Sequence, residues 1–347
     1  MALRRINNIF RLDDKRDLRI DSIKGLLILL VVIGHQIEPF IEGSPVVHAV
    51  FLLIYSFHMP LFVMISGYLT NPSADSRKFW RGELILFEAL LVFQTVRCLL
   101  TTLYFGFSWR MLITPEWTLW YLLSLIFWRL FLFVAYRVNN TRSVMLVLLA
   151  ASVVMALAFG FIPVGTEFSF QRTFYFFPFF VTGALLCDLH KHSPCFRPSR
   201  RVLVIAAVLS VACMVYLAYS IASRPEPCPF FGNSCYRDVS DMLTRFCCLV
   251  VGLCISLLIF RYFKTFRIFA LLGASTLTIY LFHTFIVERI SYKIIHGGSI
   301  PADIFTLTVI SVLVTNALFL FSKVPLSAWL INPFTRLHAR LNSRRKR

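Results

Sequence analysis

Ten stretches of this chain are predominantly apolar for about twenty residues, near 21–40, 47–70, 81–103, 118–136, 143–162, 172–188, 202–222, 242–260, 268–288 and 303–322. Twenty residues of α-helix rise about 30 Å, the thickness of a bilayer's hydrocarbon core. The runs are continuous, whereas strands of a membrane barrel alternate apolar and polar residues. The expected fold is therefore all-α: a polytopic transmembrane helix bundle of about ten spans. It occupies residues 21–322, between a basic amino-terminal segment, 1–20, and a basic carboxy-terminal tail, 323–347. Only 15% of the 347 residues are charged and 58% are hydrophobic, against about a quarter charged in a soluble domain. Pro60 and Pro178 fall inside the second and sixth runs, where each could break the helix unless neighbours satisfy the freed backbone groups.

The basic residues fix an expected orientation. Arg16 and Arg19 precede the first run, Arg77 and Lys78 the third, and Arg137 and Arg142 the fifth. Lys191, Arg200 and Arg201, then Arg261, Lys264 and Arg267, occupy later alternate loops. The intervening loops hold Glu42, Glu116, Glu167 and Asp238 instead. An even number of spans with both termini cytoplasmic satisfies the positive-inside rule, and the cell inner membrane is the expected location. The net charge of +18 is accounted for by these short loops, so no nucleic-acid partner is expected. Lys24, His35 and Gln36 interrupt the first run, which is expected to be retained rather than cleaved as a signal peptide.

Lys24 and His35 are ionisable groups inside an apolar helix, which makes them functional candidates. They are eleven positions apart, about three turns, so both project from one face about 16 Å apart along the axis. Asp21 and Glu38 lie three residues outside this pair and roughly on the same side. No Cys/His group has ligand spacing, so no metal is expected. Cys228 and Cys235, in the longest outward loop, could form a disulfide if that side is oxidising, or remain two thiols.

Five blocks then carry a resemblance. They are Asp21–His35 (DSIKGLLILLVVIGH), Phe57–Leu69 (FHMPLFVMISGYL), Trp120-Tyr121-Leu122, Phe177-Pro178-Phe179-Phe180 with Gly183, and Leu272–His283 (LGASTLTIYLFH). In this order the chain resembles the acyltransferase-3 family of bacterial integral membrane acyltransferases. The likeness is strongest to the branch that acetylates fucose and related sugars. The family's Arg-x-x-Arg element at the start of the third span is represented here by Lys78-x-x-Arg81, a departure in its first residue. The resemblance implies transfer of an acyl group, usually acetyl from acetyl-CoA, to a hydroxyl of a cell-surface or lipid-linked saccharide. Acetyl-CoA would be a co-substrate, no cofactor being held permanently, and membrane lipid would surround the bundle.

On that reading His35 is the general base that a weakly nucleophilic sugar hydroxyl needs, with Glu38 tuning it. Lys24, Lys78 and Arg81 would hold the donor's phosphates. Ser66, Tyr280 or an exposed backbone amide would face the developing oxyanion. His58 could line the site or brace the Met59-Pro60 step; His283, three residues after Tyr280, could act or merely pack. The alternative is a polytopic transporter or flippase of a saccharide or lipid-linked glycan, which would also place charges near the membrane midplane.

Overall fold

A computed structural model describes residues 16–71, 75–138, 142–163, 167–192, 200–223, 229–297 and 302–345. The basic residues before Arg16, the loop 193–199 and Cys228 lie outside these ranges. The helices are α1 (Leu18–Ile37), α2 (Pro45–Leu69), α3 (Ser76–Phe105), α4 (Arg110–Ile113), α5 (Trp120–Val138), α6 (Arg142–Ala158), α7 (Phe170–His192) and α8 (Arg200–Ser223). They continue as α9 (Val239–Tyr262), α10 (Arg267–Ala274), α11 (Thr276–Gly297), α12 (Ile304–Ser322), α13 (Pro325–Ile331) and α14 (Pro333–Arg345). The described residues form helices and turns, with no strand among them. Among the described residues nine helices are long and apolar enough to cross a membrane, and α10 with α11 passes the same test as a bent pair, the geometry of a broken span or a re-entrant loop.

Local signals set the helix ends. The Asp17 carboxylate accepts the Arg19 and Ile20 amides and starts α1, as Asp303 does for α12 through Thr306 N. Such caps satisfy amides that have no partner inside the helix. Gly106, at φ 85°, closes α3 in a conformation that a side chain disfavours.

The chain divides into two compact units, one of residues 1–58 with 262–347 and one of residues 59–261, the boundary falling inside α2. In the first unit α1 is central and packs against α10, α11 and α12. A Cβ on Gly25 would collide with the Phe269 carbonyl, and one on Gly273 with the Asp21 carbonyl. The α1 and α10 backbones therefore cross in direct contact, the packing that small residues permit between membrane helices. Ser22 fastens the crossing by accepting the Phe266 amide at 3.0 Å.

The ninth span differs from expectation. The apolar run near 268–288 reads as one span, but α10 and α11 meet at 78° across Ser275. The break comes where Gly273-Ala274-Ser275-Thr276 offers hydroxyls in place of ladder partners. Thr276 Oγ1 donates to Gly273 O at 2.6 Å, and Ser322 of α12 donates to Ser275 Oγ at 2.8 Å. The 323–347 stretch likewise holds two short helices, α13 and α14.

In the second unit the two prolines do not interrupt their helices: α2 runs through Pro60 and α7 through Pro178. Added Cβ atoms on Gly67 and Gly183 would strike the Phe180 and Met64 carbonyls. The Ser-Gly-Tyr-Leu and Phe-Pro-Phe-Phe blocks thus build one backbone crossing of α2 on α7. At the unit's edge, α8 exposes Val204, Ile205, Val208, Leu209, Val211 and Val215, an apolar face suited to lipid.

Candidate active site

The first unit gathers three histidines. His35 is on α1, His58 on α2 and His283 on α11. The His35 and His283 rings stack 5.5 Å apart at 29°. The Tyr55 ring lies 4.7 Å from His58 and 6.4 Å from His35, edge-on to each. His58 and His283 are buried, while the His35 side chain keeps 15% of its surface.

Each imidazole is held by its Nδ1. His35 Nδ1 donates to Glu38 Oε2 at 3.0 Å, one helical step away. His58 Nδ1 donates to Ile54 O at 2.7 Å, and His283 Nδ1 to Tyr280 O at 2.7 Å. A carboxylate or carbonyl only accepts, so in a neutral ring the proton sits on Nδ1 and the lone pair on Nε2. The Tyr55 hydroxyl donates to the same Glu38 oxygen at 3.3 Å and lies 3.4 Å from His35 Nδ1. The result is an imidazole whose ring plane and tautomer are fixed by a carboxylate that also accepts from a phenol.

At the other end of α1, Asp21 is buried and takes three charge-assisted bonds. Arg16 reaches it through Nε at 2.6 Å and Nη2 at 3.0 Å, and Lys24 Nζ at 3.0 Å. Two cations thus meet one carboxylate. Nearby, burial and the Arg16 charge hold the Lys323 ammonium below the usual lysine range.

The remaining expected residues divide as follows. Tyr280 is buried in the first unit, and its carbonyl orients His283. Ser66 belongs to the second unit, where it donates to Phe62 O at 3.0 Å and its Oγ lies 2.5 Å from the Tyr121 hydroxyl. The Ser66 proton is therefore committed to its own helix, and Tyr121 supplies the other hydrogen. Lys78 and Arg81 are exposed near the start of α3. Cys235 is a thiol whose sulfur meets Ile162 O at 3.5 Å. Among the described residues no group of three His, Cys, Asp or Glu is arranged to hold a metal.

Sequence reasoning missed Tyr55. A signal was present: Tyr55-Ser-Phe-His58 repeats the Tyr-x-x-His spacing of Tyr280-Leu-Phe-His283.

The nodulation protein NolL of Sinorhizobium fredii (strain NBRC 101917 / NGR234) is 29% identical over 221 residues. That alignment covers 59% of this chain and 58% of the relative. The NolL protein of Mesorhizobium japonicum (strain LMG 29417 / CECT 9101 / MAFF 303099) is 43% identical over 72 residues, 20% of this chain and 19% of the relative. This chain thus spans less than two thirds of the length of either relative. No solved structure matches. The family described as Acyltransferase domain, acyltransferase-3, matches residues 17–321, and the chain is a multi-pass membrane protein that belongs to this family of acyltransferases.

Proposed function

We propose that the protein transfers an acetyl group from acetyl-CoA to a saccharide hydroxyl, with His35 as general base. The observation that carries this reading is the His35–Glu38 hydrogen bond of 3.0 Å, joined by the Tyr55 hydroxyl. As the acceptor oxygen attacks the thioester carbonyl, His35 Nε2 takes the hydroxyl proton. The new C–O bond forms, the C–S bond breaks, and the proton returns from His35 to the departing sulfur. Glu38 faces the imidazolium formed in between, which is where a fixed negative charge helps most. Stacked His283 keeps the His35 ring from turning.

The donor's phosphates need cations. Lys24 and Arg16 together exceed the single charge of Asp21, leaving this end of α1 net positive. Lys78 and Arg81 are the second unit's exposed candidates. A charge-assisted contact of this kind acts first on donor affinity. The alternating basic loops support cytoplasmic termini in a cell inner membrane, so that acetyl-CoA enters at the Lys24 end and the acceptor at the His35 end.

Mass spectrometry of surface glycans, with and without the gene, tests the reaction class. The expected difference is one acetyl group on a saccharide residue. Identical glycans in an expressing strain would remove saccharide acylation as the function.

A further inference from the structure

The second unit carries a cleft of mixed polar and apolar lining that the reaction chemistry above does not use. It is lined by Thr114, Trp117, Ser169, Gln171, Arg172 and Asn233. These residues come from three separate connections: the one leading into α5, the start of α7, and the one between α8 and α9.

The cleft is built on braced loops. Gln94, inside α3, donates through Nε2 to Met111 O at 2.7 Å and Thr114 O at 2.8 Å, and its Oε1 accepts the Glu116 amide at 3.0 Å. Gln171 does the same on the next connection, donating to Phe159 O at 2.8 Å and Ile162 O at 2.9 Å. Buried Arg245 fastens the third: it donates to Ala156 O, Gln171 Oε1 and Ser234 O, with the Tyr175 and Tyr236 rings beside it. The 229–237 connection is also pinned by the Tyr236 amide on Gly160 O at 2.7 Å.

Three non-glycine residues around this end are held in the left-handed region: Trp117 at φ 41°, and Phe168 and Ser169 at φ 52°. Such conformations persist only where surroundings over-determine them, and they concentrate at ligand sites. Two of the three line the cleft. The Arg172 guanidinium lies over the Trp120 ring at 5.2 Å, and that of Arg97 over the Trp117 ring at 5.5 Å. An indole, a guanidinium and a primary amide on rigid backbone suit a pyranose ring. Its C–H face packs on an aromatic plane, while its hydroxyls take forked polar donors and acceptors.

We infer that this cleft is a binding subsite for a sugar ring of the acceptor, an inference that rests on the saccharide reading above. Trp117 supplies the flat surface, and Arg172 and Asn233 supply the hydrogen bonds. The braces keep the subsite formed before the ligand arrives.

The test uses the full chain in native membranes, with acetyl-CoA as donor and a delipidated surface-glycan extract from the deletion strain as acceptor. Trp117→Gly removes the indole and suits a positive φ. It should raise the acceptor KM about tenfold and leave the donor KM within about twofold. Arg172→Gln and Asn233→Ala should shift the acceptor KM in the same direction, about threefold each, and they carry the test if Trp117→Gly fails to accumulate. Acetylation of the extract with an unchanged acceptor KM in these variants would overturn the subsite and leave the saccharide function standing. Failure of the unaltered protein to acetylate the extract would overturn that function and this inference with it.

Discussion

The two ends of α1 carry the same arrangement, an acid and a base three residues apart, and put it to opposite ends. At Asp21–Lys24 the carboxylate is buried and saturated by two cations, with Arg16 completing the set. At His35–Glu38 the carboxylate keeps 32% of its side-chain surface, and its base is an imidazole with two further imidazoles and a phenol nearby. A lysine–aspartate pair holds its charges and so fixes geometry. In a histidine–glutamate pair the carboxylate holds one ring nitrogen and leaves the other able to take up a proton. Spacing alone does not separate structure from chemistry; the residue types and the saturation of the carboxylate do.

The comparison predicts a graded series. The largest effect falls on His35: His35→Ala should lower turnover about 10²–10⁴-fold with normal accumulation in the membrane, measured as acetyl transfer per unit of protein. Near-normal turnover would remove the base from the account. Asp21→Asn should do the reverse. Breaking a buried pair from one side costs about 3–5 kcal/mol, read as a lowered unfolding midpoint in detergent, while turnover per folded molecule stays close to normal. An unchanged midpoint would show that the Asp21 end does not hold the fold.

Smaller effects sharpen the contrast. Glu38→Gln should cost about 10–100-fold in turnover, as loss of an orienting partner does, without the stability loss of Asp21→Asn. Tyr55→Phe keeps the ring packing on Phe51 at 4.0 Å and removes the hydroxyl that meets Glu38 and His35. A reduction of about threefold to tenfold is expected, and a tighter-binding or unaffected enzyme would count against Tyr55. Lys24→Arg should be mild, whereas Lys24→Ala should raise the donor KM more than it lowers kcat. An unchanged donor KM would make Lys24 a partner of Asp21 and nothing more.

Much of this was legible because membrane helices leave a strong mark: twenty-residue apolar runs report spans directly. The face shared by Lys24 and His35 followed from helical period alone. The Ser275 bend did not, because Leu271–His283 is apolar on both sides of the break and hydropathy has no direction. The bend depends on tertiary contacts, Gly273 on α1 and Ser322 on Ser275. Tyr55 escaped for a related reason. It lies inside an aromatic-rich run, where the Tyr-x-x-His spacing marks it but names no partner; the bond to Glu38, seventeen residues earlier, comes only with the fold. The Gln94 and Gln171 braces are likewise invisible in sequence, since the carbonyls they bind lie 9 to 20 positions away along the chain.

The central claim, that His35 and Glu38 act as one proton-handling unit, is tested most directly by a kinetic double-mutant cycle. Turnover per folded molecule would be measured for His35→Gln, Glu38→Gln and the double variant. If the carboxylate works through the imidazole, the double variant loses no more activity than His35→Gln alone. If the two losses multiply, the residues contribute independently and the account of this end of α1 is wrong.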